Sequence, residues 1–409
     1  MSAEHTAIFK HGPGRQQGAA LLIMLVILVI GVAAVLINSL TSSSVKTARQ
    51  ETTAAALAQA KDALIGYAVT YGDTHSGKAH GYLPCPDTDN DGSTDTNQSS
   101  AECAALNIPV IGRLPWKSLK LLPLRDGHGE CMWYAVSGTF KAVAGGYMND
   151  LMNWDTIGQF TIQDANGTPL SGTTAYDQPV AVIFSGGLPL GTQSHPPSNG
   201  QDCSGDNSNS VTAYLDGGNA FSPPALPPVS PIALTAGNPS STINNDAVLW
   251  ISSRDIFDHI KKRNDFVTFI SSLLNTAITC ASQPVTVDFD TMLETSGVTV
   301  GSLKIGRIPK ACLASPLDSW QDNLLYAICT SANCLTVNST SCNGVVFFSG
   351  ERNTLQNRIT NTDKNNMGNY LEDTPFANHA AFTAGGTSFS GATSYTTASP
   401  TTDILACIP

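Results

Sequence analysis

Residues 19–30 read Ala-Ala-Leu-Leu-Ile-Met-Leu-Val-Ile-Leu-Val-Ile, inside a segment without charged residues that extends from Gln16 to Val45. The apolar part, from Ala19 to Ile37, is about twenty residues long, which is the length that a helix needs to cross a hydrocarbon core of roughly 30 Å. Lys10 and Arg15 precede this part. By the positive-inside rule, the sequence predicts one transmembrane helix with everything after Asn38 exported.

The predicted helix continues beyond the apolar part as an Ala-rich amphipathic segment. Leu57, Ala60, Leu64 and Ala68 recur at helical spacing and predict one apolar face. A cleaved secretory signal is the alternative, but its apolar region is usually only about 7–15 residues long. Since no helix breaker separates the two parts here, the pattern favours one continuous helix of about fifty residues.

The start of the chain combines a basic leader that ends in Gly18, a small residue, Ala19, and the long helix. In these features the chain resembles the type IV pilins and the type II secretion pseudopilins. The resemblance implies that a prepilin peptidase cleaves after Gly18 and methylates Ala19, and that other pilins or pseudopilins contact the helix. Most members have glutamate as the fifth mature residue, where this chain has Ile23. Its absence is typical of some minor subunits, including one at the tip of the secretion pseudopilus.

Composition predicts an exported protein. Charged residues make up only 13%, against about 25% in ordinary soluble domains. All ten cysteines follow the apolar segment, so up to five disulfides are expected in a periplasm, with at least one pair among Cys329, Cys334 and Cys342. The predicted localisation is therefore the inner membrane, single-pass with a periplasmic body, or the tip of an extracellular pilus. The net charge of −11 argues against nucleic acid as a partner.

Four segments of the exported part recur later in the same order, which predicts an internal duplication. The matched pairs are Ile111–Pro115 with Ile305–Pro309, Trp133–Ser137 with Leu325–Cys329, Val182–Gly186 with Val346–Gly350, and Ala213–Asp216 with Asn369–Glu372.

The predicted fold class is α+β: a long transmembrane-to-amphipathic helix followed by two tandem pilin-like modules, each a helix with an antiparallel sheet. A capping-box-like start at Ser252 and Asp255 predicts the helix of the second module. The predicted divisions are leader 1–18, helix 19–70, first module 71–221, Pro-rich linker 222–248 and second module 249–409.

One loop has the composition of a calcium site. Asp87, Asp89, Asp91 and Asp95 occupy alternate positions around Gly92, as an oxygen-coordinating Ca²⁺ loop requires. The twelfth position is Gln98 instead of the bidentate glutamate of an EF-hand, so an Asx-turn without metal stays an open alternative.

The sequence predicts no enzyme, because neither serine of the two Phe-Ser-Gly segments is preceded by the glycine that a nucleophile elbow needs. Asp126-Gly127-His128-Gly129-Glu130 reads as a polar turn. The predicted function is a minor, tip-located pilin-like subunit for pilus assembly or surface adhesion. Its expected partners are other pilins, the prepilin peptidase, the inner membrane, and a surface receptor or exported substrate. A pseudopilin that recruits exported substrate, a signal-anchored periplasmic binding protein and an extracytoplasmic hydrolase remain alternatives.

Overall fold

The structure is a computed structural model that describes residues 17–94, 103–142, 152–195, 203, 210–282 and 298–409; in the first helix it describes no side chains for residues 17–23, 26 and 30–42. The chain forms two compact units, Met1–Thr52 and Thr53–Pro409. The helices are α1 Gln17–Thr74, α2 Ser253–Ile260, α3 Phe266–Ala281, α4 Asn361–Asn365 and α5 Asn378–Ala384.

The strands of the second unit are short and fall into two successive groups. The first group comprises β1 Val110–Arg113, β2 Trp133–Val136, β3 Phe160–Asp164, β4 Pro169–Ser171, β5 Pro179–Ser185, β6 Ile232–Ala236 and β7 Ala247–Ser252. The second comprises β8 Val298–Val300, β9 Leu303–Arg307, β10 Leu324–Cys329, β11 Leu335–Val337, β12 Thr340–Cys342, β13 Gly344–Phe348, β14 Ser388–Phe389 and β15 Ile404–Ile408.

The first unit contains the first part of α1. Among the described residues, no helix is both long enough and apolar enough to cross a membrane. The predicted transmembrane segment is therefore wrong, and so is the single-pass inner-membrane localisation that rested on it.

In the second unit, the rest of α1 buries one face. Leu57, Ala60, Leu64 and Ala68 are at most 6% exposed, at the helical spacing on which the amphipathic prediction rested. Lys61 also fixes this part of the helix, because its Nζ donates to the carbonyl oxygen of Trp250 at 3.0 Å.

The first sheet has the strand order β1-β2-β5-β7, and all its pairs are antiparallel. The second sheet has the order β15-β13-β10-β9-β8 and is also antiparallel throughout. The two share one register: Arg113 lies opposite Trp133 in the first sheet, as Arg307 lies opposite Leu325 in the second. The segments matched by sequence therefore occupy equivalent strands.

Each large sheet is accompanied by a small three-stranded sheet, β4-β3-β6 in the first group and β12-β11-β14 in the second. Both small sheets combine an antiparallel hairpin with a parallel pair. In addition, β6 lies within the predicted linker, and β7, assigned by sequence to the second module, is an edge strand of the first sheet.

The predicted fold class is therefore wrong. The described residues form a mixed, sheet-rich body with four sheets instead of two tandem modules with one antiparallel sheet each. Sequence periodicity identifies strands but not the strands with which they pair. For this reason the two parallel pairs and the position of β7 were not predicted.

One hydrophobic core joins the helices to the inner faces of both large sheets. Leu64 of α1, Tyr134 of β2, Leu273 of α3 and Tyr326 of β10 all belong to it and are at most 1% exposed. All ten cysteines lie in disulfide pairs, and the local pair expected near Cys329 joins it to Cys334. The other pairs are Cys85–Cys103, Cys131–Cys203, Cys280–Cys312 and Cys342–Cys407.

Candidate functional site

The loop that begins at Asp87 is organised mainly around that carboxylate, and Asp91 Oδ1 also accepts the backbone N–H of Ser93 at 2.6 Å. Asp87 is 1% exposed, and its two oxygens accept the backbone N–H groups of Asn90 at 2.6 Å and Gly92 at 2.8 Å. Burial raises the pKa of the Asp87 carboxyl to about 7. Loop geometry of this kind belongs to an Asx-turn, in which a side chain accepts backbone hydrogen bonds of its own loop.

The carboxylates of Asp89 and Asp91 face the same place as that of Asp87. One oxygen from each of the three lies within 4.8 Å of the others, while Asp89 and Asp91 are exposed to solvent. Calcium accepts such a set, since it binds flexible groups of carboxylate oxygens. The loop can therefore form its turn through Asp87 and still offer Asp89 and Asp91 to a cation. Asp95, the fourth predicted ligand, and Gln98 lie outside the described residues.

A second group with metal-ligand chemistry, Asp73, His80 and Asp265, was not predicted from the sequence. Here a guanidinium already lies between the carboxylates: Arg263 Nη2 is 2.8 Å from Asp73 and 2.8 Å from Asp265. These hydrogen bonds lower the pKa of both aspartates. The group is therefore an ion-pair network.

The segment from Asp126 to Glu130 forms the polar turn that the sequence predicts. Asp126 Oδ1 accepts the backbone N–H groups of His128 at 2.8 Å and Glu130 at 2.9 Å. Its other oxygen accepts the hydroxyl of Ser185 at 2.6 Å. The Asp126 carboxylate is thus engaged in holding the turn against the end of β5.

The two halves of the body repeat a stacked arginine. The Arg113 guanidinium lies 4.0 Å from the ring centre of Trp133 and 4.2 Å from that of Tyr214. In the second half, Arg307 lies 4.0 Å from the ring centre of Tyr370. Both arginines are 2% exposed, so these cation–π contacts are sheltered from water and stabilise the fold. The two Gly-Arg motifs are therefore structural.

Each half also carries a buried aspartate immediately before its edge strand, which the sequence comparison did not reveal. Asp246 Oδ2 accepts the backbone N–H of Asp216 at 2.8 Å, and Asp403 Oδ2 accepts that of Glu372 at 3.1 Å. Burial raises the pKa of Asp246 to about 7 and that of Asp403 to about 8.

At the start of the chain, Gly18 and Ala19 lie in the first turn of α1, and their side chains, like that of Ile23, are outside the described set. The cleavage and methylation assigned to Gly18 and Ala19 stay predictions. The chain matches no protein-family model. It matches no curated protein, and no solved structure matches its fold.

We expect the stability of the body to fall as the pH rises from about 4 to about 8. A raised pKa means that the native state keeps a proton that the unfolded chain releases, so the stabilisation is complete below the ordinary aspartate pKa and is lost above the raised one. Asp403→Asn should flatten the pH dependence of the free energy of unfolding, measured by urea denaturation. Asp62→Asn, at an exposed position of α1, is the control. An unchanged slope in Asp403→Asn would contradict the assignment.

We expect millimolar Ca²⁺ to raise the midpoint of thermal unfolding of the wild type, because a ligand that binds only the native state stabilises it. The double variant Asp89→Asn/Asp91→Asn should lose this response while keeping the turn, which depends on Asp87. Asp164→Asn, in another exposed Asx-turn, should respond like the wild type. Equal calcium responses in the wild type and the double variant would refute a site at this loop.

Proposed function

We propose that the chain is a minor subunit of a pilin-type filament, a type IV pilus or a secretion pseudopilus, with α1 as its assembly element. The observation that carries the proposal is α1 itself, one continuous helix of 58 residues. The described side chains near its start are apolar and exposed, whereas its later part buries one face in the core of the second unit.

The exposed side chains set the chemistry of the partner. Met24 is 76% exposed, Ile27 64% and Leu28 65%, so three large apolar groups within two helical turns contact water. Apolar groups exposed together in this way mark an association surface, and burial contributes about 25 cal/mol per Å². Apolar helices of other subunits fit this surface, and head-to-tail contacts that do not close generate a filament.

The resemblance of the leader supports the same proposal. Cleavage after Gly18 would place Ala19 at the start of the mature helix, and Ile23 in place of glutamate is typical of some minor subunits. Five disulfide pairs are in keeping with exposure to an oxidising compartment. The body of the second unit extends over Thr53–Pro409, a bulk that favours the tip of a filament over its densely packed shaft. Recruitment of an exported substrate at such a tip is the second candidate role.

The test has two readouts. Expression with and without a prepilin peptidase, followed by mass spectrometry, should show a methylated Ala19 end only with the peptidase. In cells that assemble filaments, Leu25→Lys/Leu28→Lys should lower the amount of the chain in sheared filaments at least about tenfold, because charges would enter an apolar contact.

Ala55→Lys, an exposed position later in the same helix, is the matched control and should leave incorporation unchanged. An uncleaved amino terminus at Met1 in both strains would contradict the proposal. So would normal incorporation of the double lysine variant.

A further inference from the structure

An open cleft of about 580 Å³ lies in the second unit, bordered by residues from both strand groups. Its volume falls within the roughly 300–1,000 Å³ of small-ligand sites. Three aromatic residues, Trp154, Tyr176 and Phe257, contribute to its wall. The cleft is distinct from the Asp87 loop and from α1.

Most of the remaining wall consists of side chains that can both donate and accept hydrogen bonds. The hydroxyl and amide residues of the lining are Thr156, Thr174, Ser252, Ser253, Asn353, Thr354 and Thr401. Of the aromatic residues, Trp154 and Phe257 are only 7% and 2% exposed and offer little surface to a ligand. A dense set of hydroxyl and amide groups suits a ligand that carries many hydroxyls. A saccharide has this chemistry.

The acidic residues of the cleft are already engaged. Glu351 Oε2 accepts a hydrogen bond from Lys261 Nζ at 2.6 Å, and Asp177 Oδ2 accepts the backbone N–H of Gly172 at 3.0 Å. One oxygen of each carboxylate is therefore already occupied by a hydrogen bond, which weakens its ability to bind a cation in the cleft.

The basic residue Arg352 is in the opposite situation. Its guanidinium lies 3.1 Å from the ring centre of Tyr176, and within the described parts of the chain it makes no hydrogen bond and no ion pair. Burial lowers the pKa of Arg352, although its side chain stays partly exposed and the charges of Asp155 and Glu351 act in the opposite direction. A guanidinium is planar and presents its N–H groups at its edge, where a carboxylate accepts two of them in parallel.

We propose that this cleft binds an acidic saccharide, with Arg352 holding the carboxylate, the threonine and serine hydroxyls binding the sugar hydroxyls, and Tyr176 supporting the arginine. The proposal does not depend on membership of a filament. Arg254 also lines the cleft and is paired with Asp258 at 3.5 Å, so Arg352 is the cation of the lining without an ion pair among the described residues.

The test is isothermal titration of the purified full chain with a uronic-acid disaccharide and with sialyllactose, and with lactose as the neutral counterpart. The wild type should bind at least one acidic sugar, and at least about tenfold more tightly than lactose, because a charge-assisted hydrogen bond to Arg352 is stronger than a neutral one. Arg352→Ala should lose at least about tenfold in affinity for the acidic sugar. Arg352→Lys should recover only part of it, since a lysine cannot form the bidentate pair.

Two further variants separate loss of binding from loss of fold. Thr174→Trp fills the cleft from an exposed position and should abolish binding while the circular dichroism spectrum stays native. Lys262→Ala removes one exposed positive charge outside the cleft lining and should bind like the wild type. No binding of either acidic sugar to the wild type at millimolar concentration would overturn the proposal. Equal affinities of the wild type and Thr174→Trp, or competition by acetate as strong as by the sugar, would overturn it too.

Discussion

Burial of α1 and α3 in one continuous hydrophobic core is the constraint on which the body depends. Leu64 and Leu273, one from each helix, are fully buried in the same cluster as residues of both large sheets. Trp154 follows β2 in the first strand group, and Trp320 follows β9 in the second. Their rings pack edge to face with ring centres 4.6 Å apart. Since neither sheet has a separate core for its helix-facing side, neither half is expected to keep its packing without the other.

The two halves repeat each other in architecture, but they contribute different residues to the cleft that contains Arg352. The stacked arginines, the aspartate before each edge strand and the small sheets all recur. Both copies satisfy their buried charged groups in the same way. A buried guanidinium needs aromatic or carbonyl partners, and a buried carboxyl needs backbone donors. The cleft with Arg352 has no such repeat, since it draws Tyr176 from the first strand group and Arg352 from the second. Duplication followed by divergence at the junction accounts for a site that neither half could form alone.

The sequence predicted what depends on local patterns. The buried face of α1 beyond Thr53 and the strands around Arg113 and Arg307 follow from spacing and repetition. One match was displaced by a residue: Phe184 pairs with Trp133, and its structural counterpart is Phe347, not Phe348. Such a shift moves every side chain to the other sheet face, and an ungapped comparison cannot detect it. The predicted membrane span was wrong. The parallel strand pairs and the cleft were not predicted, because they depend on side-chain exposure and on contacts between segments far apart in sequence.

Hydrogen exchange of the full chain, followed by mass spectrometry at peptide resolution, tests the shared core most directly. Amides of β2 and β10, one central strand from each large sheet, should exchange with the same free energy of opening and respond together to denaturant, because one core holds both. Leu64→Ala, which truncates α1 alone, should lower both by a similar amount of about 2–5 kcal/mol. Loss of protection confined to β2 would show that the halves are independent folding units and would contradict the shared core.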